Sequence, residues 1–136
     1  MRLIISNPSK SRKANQNHLY FETNKTLFLT DAEIKLSKVL IEQELFFIKS
    51  QQSKSIKEKD IESISFWSIM ESMFKATYKK LKPKTQLNFG ELDSYYGVIE
   101  MNVVNVTKPI LTQESIPIIN ALKSKIQSIH HECIVE

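Results

Sequence analysis

The chain has 136 residues, 41% of them hydrophobic and 25% charged. This size and balance predict one globular domain and exclude a disordered chain. No apolar run is long enough to span a bilayer and the N-terminus does not resemble a signal peptide, so we expect no membrane contact and a cytoplasmic location. One cysteine excludes an internal disulfide, and two glycines exclude a glycine-rich phosphate-binding loop.

The net charge is +4, and the basic excess is concentrated in one part of the chain. Residues 1–103 hold 16 Lys and Arg against 12 Asp and Glu, whereas residues 104–136 are neutral. Between Lys75 and Lys84 there are five lysines and no acid. Such a patch fits a polyanion, most often nucleic acid, and it fits a solvated lysine-rich helix end equally well.

The segment before residue 30 is predicted to contain strands and a basic arm. Residues 3–5 have the pattern of a short strand. Residues 7–17 are polar and indicate a loop or arm, which carries Lys10, Arg12 and Lys13. Alternating apolar residues over 18–30 predict a β-hairpin that turns at residues 23–25.

A helix is predicted from Thr30 to about Glu42. Thr30 and Glu33 have the spacing of a capping box, in which each side chain accepts a hydrogen bond from the backbone N–H of the other residue. Apolar residues then recur on one face: Ala32, Leu36, Val39 and Leu40. An apolar burst and polar loop over 44–55 and a short helix over 55–65 are expected to follow.

A long amphipathic helix is the clearest element of the sequence. Its apolar side chains recur at helical spacing from Phe66 to Leu81, and Pro83 ends it. Small hydroxyl side chains let a helix approach bases and lysines reach phosphates, so its polar stripe is a candidate for DNA contact. An ordinary solvated helix face presents the same pattern. The stripe consists of Ser68, Ser72, Lys75, Lys79 and Lys82.

The remaining segment is predicted to contain strands and a last helix. Residues 86–106 read as strands, because β-branched residues dominate after Val98 and turn candidates precede it. A helix is expected after Pro109, with Ser115 as its cap. Its apolar residues have the spacing of a seam between two helices: Ile119, Leu122, Ile126 and Ile129.

Four segments together resemble a known family. The sequence LTDAEIKLSKVL (29–40) resembles the Leu-Thr-x-x-Glu signature of the OmpR/PhoB-type winged helix-turn-helix DNA-binding domains, in a divergent form for which we expect no receiver domain. The sequences IKEKDI (56–61), FKATYKKLKP (74–83) and SYYGVIEM (94–101) are similar to that family's second helix, recognition helix and wing. The resemblance covers residues 18–103.

The resemblance implies an α+β fold with an N-terminal β-hairpin, three helices and a C-terminal β-hairpin, here followed by an extra C-terminal helix. The chain would then divide into an N-terminal strand and basic arm (1–17), a winged-helix-like domain (18–106) and a C-terminal helix (107–136).

The resemblance also implies a DNA-binding transcriptional regulator without catalytic activity. Ser68, Ser72, Lys75 and Lys79 would face double-stranded DNA, and Lys82 and Lys84 would contact phosphates. Thr30 and Glu33 would be structural. The seam of the last helix would pair two protomers into a homodimer, with RNA polymerase or another protein as a further partner.

A second hypothesis is a non-enzymatic protein-interaction or assembly subunit that does not bind DNA. It would be a winged-helix-like adaptor or a component of a contractile tail or secretion system. Three features favour it: the modest net charge, Tyr78 where the family commonly has a phosphate-contacting arginine, and the apolar seam of the last helix.

The chain offers little for metal or catalytic chemistry. The side chains of His130, His131, Glu132 and Cys133 could all bind a metal, but four adjacent residues on a helix point in different directions. We therefore expect no metal site, no cofactor and no catalytic residues.

Overall fold

The computed structural model describes residues 24–104 and 112–135, which form four helices and a two-stranded sheet. None of the described helices has the length and apolar character needed to cross a membrane. In chain order the elements are β1 (Asn24–Phe28), α1 (Asp31–Glu58), α2 (Ile61–Lys80), β2 (Lys84–Asn88), α3 (Phe89–Val104) and α4 (Ser115–Val135).

Helix α1 begins at the capping box and is far longer than expected. The Thr30 hydroxyl accepts from the Glu33 N–H at 3.1 Å, and the Glu33 carboxylate accepts from the Thr30 N–H at 2.9 Å. No glycine or proline interrupts the following residues, so the helix continues through the predicted loop to Glu58. It ends at Lys59, whose left-handed backbone (φ 55°) lets its N–H bond the Ile56 carbonyl.

Helices α1 and α2 form an antiparallel hairpin joined by a tight turn. Asp60 caps α2, accepting from the Ser63 N–H at 3.2 Å and from the Ser63 hydroxyl at 2.7 Å. The separate short helix predicted over 55–65 does not exist, because the turn at Lys59 divides that segment between α1 and α2. Helix α2 ends at Lys80, shortly before Pro83.

The two strands form an antiparallel ribbon that joins distant parts of the chain. Leu27 pairs with Thr85, and Thr26 with Gln86. The turn predicted at residues 23–25 is wrong at Asn24 and Lys25, since both lie within β1. Within the described residues, β1 pairs only with β2. The Thr85 hydroxyl donates to the Lys82 carbonyl and accepts from the Lys82 N–H, which fixes the link between α2 and β2.

A helix stands where the sequence predicted strands and a wing. Asn88 and Glu91 start α3 through reciprocal hydrogen bonds, each side chain accepting from the backbone N–H of the other residue. Leu92, Tyr95 and Ile99 are fully buried and lie on one side of this helix. Burial of that face outweighs the β-propensity of the valines and isoleucine near its end.

The winged helix-turn-helix prediction is therefore wrong. Residues 24–104 and 112–135 show neither the three-helix arrangement nor the C-terminal β-hairpin of that fold; the two strands found there flank the α1–α2 hairpin instead. Local patterns alone suggested a wing because they carry no information about which face of a segment the remaining helices bury.

The core lies where the ribbon, the N-terminal half of α1, the C-terminal half of α2, α3 and α4 meet. Tyr95 is its largest fully buried side chain, and its hydroxyl hydrogen-bonds the buried Ser37 hydroxyl of α1. Burial raises the pKa of Tyr95 well above its usual range. Lys125 of α4 ties the same region together, because its Nζ donates to Glu33 and to the Phe28 carbonyl, both at 2.7 Å.

Candidate functional site

All six residues predicted to contact DNA lie on the surface. Ser68, Ser72, Lys75 and Lys79 follow one exposed stripe along α2, and Lys82 and Lys84 continue it into β2. The Nζ of Lys75 lies 3.5 Å from Oε2 of Glu71, so part of the charge of Lys75 is compensated. Lys79, Lys82 and Lys84 have no acidic partner among the residues that the structure describes. The uncompensated charge thus lies at the ribbon end of α2.

An open cleft of about 430 Å³ marks this basic end. Lys80 also lines it, but its Nζ donates to both carboxylate oxygens of Glu91 at 2.8 Å. Lys82 and Lys84 therefore give the cleft its positive charge. The full lining is Asn24, Lys80, Lys82, Lys84 and Gln86.

The outer face of the ribbon is polar. Strand alternation sends Leu27, Thr85 and Leu87 into the core, where all three are fully buried. The opposite face pairs Asn24 with Asn88, Thr26 with Gln86, and Phe28 with Lys84. Phe28 is 65% exposed, so an aromatic ring stands at one end of this polar surface.

A second exposed surface is apolar and lies on the α1–α2 hairpin. We call it the hairpin patch; its six side chains are between 47% and 80% exposed. Within the described residues, no buried hydrophobic residue follows Ile48 in α1 or precedes Phe74 in α2. The sequence signal was present in the apolar burst at 45–48 and in the helical face from Phe66, but neither pattern shows whether the chain itself covers these side chains. The patch consists of Phe46, Phe47, Ile56, Ile61, Phe66 and Ile69.

Aromatic rings and a groove connect parts of the hairpin patch. The half-buried Trp67 ring lies 5.8 Å from the Phe47 ring and 4.9 Å from the Phe66 ring, both edge-on. Beside Phe46 and Phe47, a groove of about 620 Å³ runs towards Met101 at the end of α3. An exposed apolar surface with clustered aromatic rings and a groove beside them is typical of a contact site for another protein.

The predicted dimer seam lies inside the chain. Ile119, Leu122 and Ile126 are fully buried, and Ile129 packs against the same core. Helix α4 therefore uses this face against α3 and the ribbon side of α1, and the seam is intramolecular. Pairing two copies through it would require the core to open, so this surface does not supply a dimer contact.

The contacts of His130 are those of a packing residue rather than of a metal ligand. Its ring stacks on Phe89 at 5.4 Å and on Tyr96 at 4.7 Å, and its Nε2 lies 2.7 Å from Asp93 Oδ1. His131 is exposed. No group of three or more metal-binding side chains occurs in the described part of the chain. The side chains of Glu132 and Cys133, and the arm with Lys10, Arg12 and Lys13, lie outside the described residues.

Comparison with known proteins adds no further identification. No family model matches the chain, and no curated protein or solved structure matches it significantly. Nothing in these comparisons indicates an OmpR/PhoB-type domain. The two exposed surfaces are therefore the candidate functional sites of the described residues.

Proposed function

We propose that the protein is a non-enzymatic assembly subunit that pairs with a second copy of itself through the hairpin patch. The observation that carries this proposal is the exposure of six large apolar side chains on one helical hairpin. The site of action that fits the composition is the cytoplasm, where the single cysteine stays reduced.

The size of the patch fits a stable interface. With a fully exposed aromatic side chain offering about 150–250 Å², the exposed fractions of Phe46, Phe47 and Phe66 amount to roughly 350 Å² of apolar surface, to which the three isoleucines add. A monomer rarely exposes more than a few hundred Å² in one patch, whereas a standard interface buries about 800 Å² on each partner. Covering the patch would therefore remove most of this exposed surface from water.

The charges around the patch favour a second copy as the occupant. The C-terminal part of α1 carries Lys49, Lys54 and Lys57 against one acid, Glu58, whereas Asp60 and Glu62 lie at the cap and in the first turn of α2. In a two-fold symmetric contact, each surface meets the same surface of its partner, so residue i of one copy faces residue j of the other and the reverse. A two-fold axis along the hairpins, with both turns at the same end and α1 of each copy against α2 of the other, places the basic helix end against the acidic helix start twice.

Sedimentation equilibrium of the purified chain tests this proposal. We expect a dimer at micromolar concentration, and a monomer with unchanged helical circular dichroism for Phe46→Ser/Phe66→Ser. Phe28→Ser is the matched control, because the exposure of Phe28 (65%) lies between those of Phe46 and Phe66 while its position is on the ribbon, and this variant should remain dimeric. A wild-type chain that stays monomeric at roughly 100 µM contradicts the proposal.

A second candidate function is nucleic-acid binding, which would make the protein a DNA-binding regulator. It is favoured by Lys79, Lys82 and Lys84, which lie together on the surface without acidic partners among the described residues. The test is a fluorescence-anisotropy titration onto random-sequence duplex DNA over a salt series. Binding that weakens steeply as salt rises supports it, because phosphate contacts release counterions. No binding at low salt contradicts it.

A further inference from the structure

We infer that the outer face of the β1–β2 ribbon, rather than the exposed stripe of α2, is the surface that contacts a nucleic-acid duplex. This inference rests on the second candidate function, nucleic-acid binding. It assigns the contact to a different element from the recognition helix that the sequence suggested.

The dimensions of the ribbon suit a duplex groove. Two paired strands lie about 4.8 Å apart, and five residues extend about 17 Å. The major groove of B-form DNA, about 12 Å wide, admits a two-stranded ribbon. The buried side chains of Leu27 and Leu87 and the hydrogen bonds of Thr85 hold the ribbon against the core, so its outer face is presented on a rigid support.

The side chains on the outer face have the chemistry that groove recognition needs. Asn and Gln amides and a Thr hydroxyl both donate and accept hydrogen bonds, as base edges require, and Asn24, Thr26 and Gln86 supply them. The Asn88 side chain accepts from the N–H of Glu91 and is already engaged. Phe28 offers a ring for apolar contact at the end of the ribbon.

The distribution of charge favours the ribbon over the helix stripe. Lys82 and Lys84 flank the outer face and point into the cleft beside it, where phosphates would lie. The helix stripe starts with two neutral serines next to the hairpin patch, and its first lysine is close to Glu71. Positive charge therefore increases along α2 towards the ribbon, and the duplex is expected to bind at that end.

Matched charge reversals separate the two surfaces. We would titrate a random-sequence 20-base-pair duplex with the wild-type chain, Lys82→Glu/Lys84→Glu and Lys75→Glu/Lys79→Glu, at roughly 50 mM salt. Both pairs change the net charge by the same amount at exposed positions. We expect the ribbon pair to lose at least about tenfold in affinity and the helix pair to lose about threefold. Circular dichroism confirms that each variant is folded.

The outcomes distinguish failure of the inference from failure of nucleic-acid binding itself. If the wild-type chain does not bind, the second candidate function and the inference both fail. If it binds and the helix pair loses as much affinity as the ribbon pair or more, the ribbon inference is overturned while nucleic-acid binding stands.

Base reading by the ribbon has its own test. Thr26→Ala/Gln86→Ala leaves the charge unchanged, so binding to random duplex should stay within about twofold of the wild-type value. In a selection from random sequences, the preference shown by the wild-type chain should flatten in this variant. An unchanged preference would overturn base reading by these two side chains.

Discussion

The two halves of α2 share one apolar pattern but meet different surroundings. Phe66, Ile69, Met73 and Thr77 lie on one face of the helix at helical spacing. At the C-terminal half that face is covered: Thr77 is fully buried, and Met73 contacts Ser94 of α3. At the N-terminal half Phe66 and Ile69 are more than half exposed. Amphipathic periodicity thus identifies an apolar face but not whether the chain itself covers it.

The largest expected effect comes from a pair of identical substitutions in these two halves. Phe74→Ala should lower the free energy of unfolding by about 3–5 kcal/mol, because a side chain that is 2% exposed leaves a cavity. Phe66→Ala, at a position 51% exposed, should cost less than about 1 kcal/mol in the monomer. Urea denaturation at low protein concentration measures both values. Equal losses would contradict the contrast between the halves.

The core around Tyr95 of α3 should also lose stability in alkali. Burial raises the pKa of this phenol, so the folded chain keeps its proton above the ordinary value of 10.0 while the unfolded chain loses it. The stabilising contribution is therefore complete below pH 10 and is lost as the pH rises towards the raised pKa, at about 1.4 kcal/mol per pH unit. Tyr95→Phe should remove this part of the pH dependence. Unfolding of both proteins between pH 9 and 11 checks it, and parallel curves would contradict it.

At neutral pH the same substitution isolates one buried hydrogen bond. Tyr95→Phe leaves the Ser37 hydroxyl without its partner, which should cost about 1–2 kcal/mol. Ser37→Ala/Tyr95→Phe, which removes both polar groups, should be no less stable than Tyr95→Phe alone. A double variant whose loss of stability equals the sum of the losses for Ser37→Ala alone and Tyr95→Phe alone would show that the two hydroxyls do not interact.

Smaller effects on stability are expected at the caps of α1 and α2, and the two caps should differ in size of effect. Thr30→Ala removes one side of the capping box in the packed region and should cost about 1 kcal/mol, measured by thermal unfolding. Thr30→Ser keeps the hydroxyl and is the control. A loss as large for Thr30→Ser as for Thr30→Ala would show that the hydroxyl is not the stabilising group.

The exposed cap at Asp60 should give the smallest effect. Hydrogen bonds from the Ser63 hydroxyl and N–H lower the pKa of Asp60 below its ordinary value of 3.8. Its stabilisation of the hairpin turn is therefore present above that value and is lost as the pH falls through the lowered pKa. The Ser63 amide signal in NMR should titrate with a midpoint below 3.8 in the wild type and not in Asp60→Asn. A midpoint at or above 3.8 contradicts this assignment.

Local signals in the sequence were sufficient for some elements and not for others. The reciprocal bonds of Thr30 and Glu33 involve neighbours three residues apart, so their spacing alone predicted the start of α1. Helix α3 was predicted as strands because its valines and its isoleucine favour a sheet, and the partners that bury Ile99 come from distant segments. Strand segments were predicted over both β1 and part of β2, but their pairing was missed, since β1 pairs with a strand beyond two helices.

The candidate surfaces also divide into features that local sequence patterns predicted and features that they did not. The six residues predicted to contact DNA lie on the surface, because polar residues opposite a strong apolar helix face point to solvent. The apolar residues of the hairpin patch are visible in the sequence, but their exposure could not be predicted, since helical spacing does not show which faces the other elements cover. The seam of α4 was assigned to a dimer because a heptad-like spacing does not distinguish a contact within one chain from a contact between two.

The most direct test of the account is the fluorescence of Trp67, the only tryptophan in the sequence. Trp67 contacts Phe47 and Phe66, so a second copy on the hairpin patch would shield it from water. Dilution from roughly 100 µM to 0.1 µM should shift its emission to longer wavelength as the dimer dissociates, with Phe28→Ser behaving like the wild type and Phe46→Ser/Phe66→Ser showing no shift. Emission that does not change with concentration in the wild type, at the wavelength of the monomeric variant, would contradict the claim that the patch is covered by a second copy.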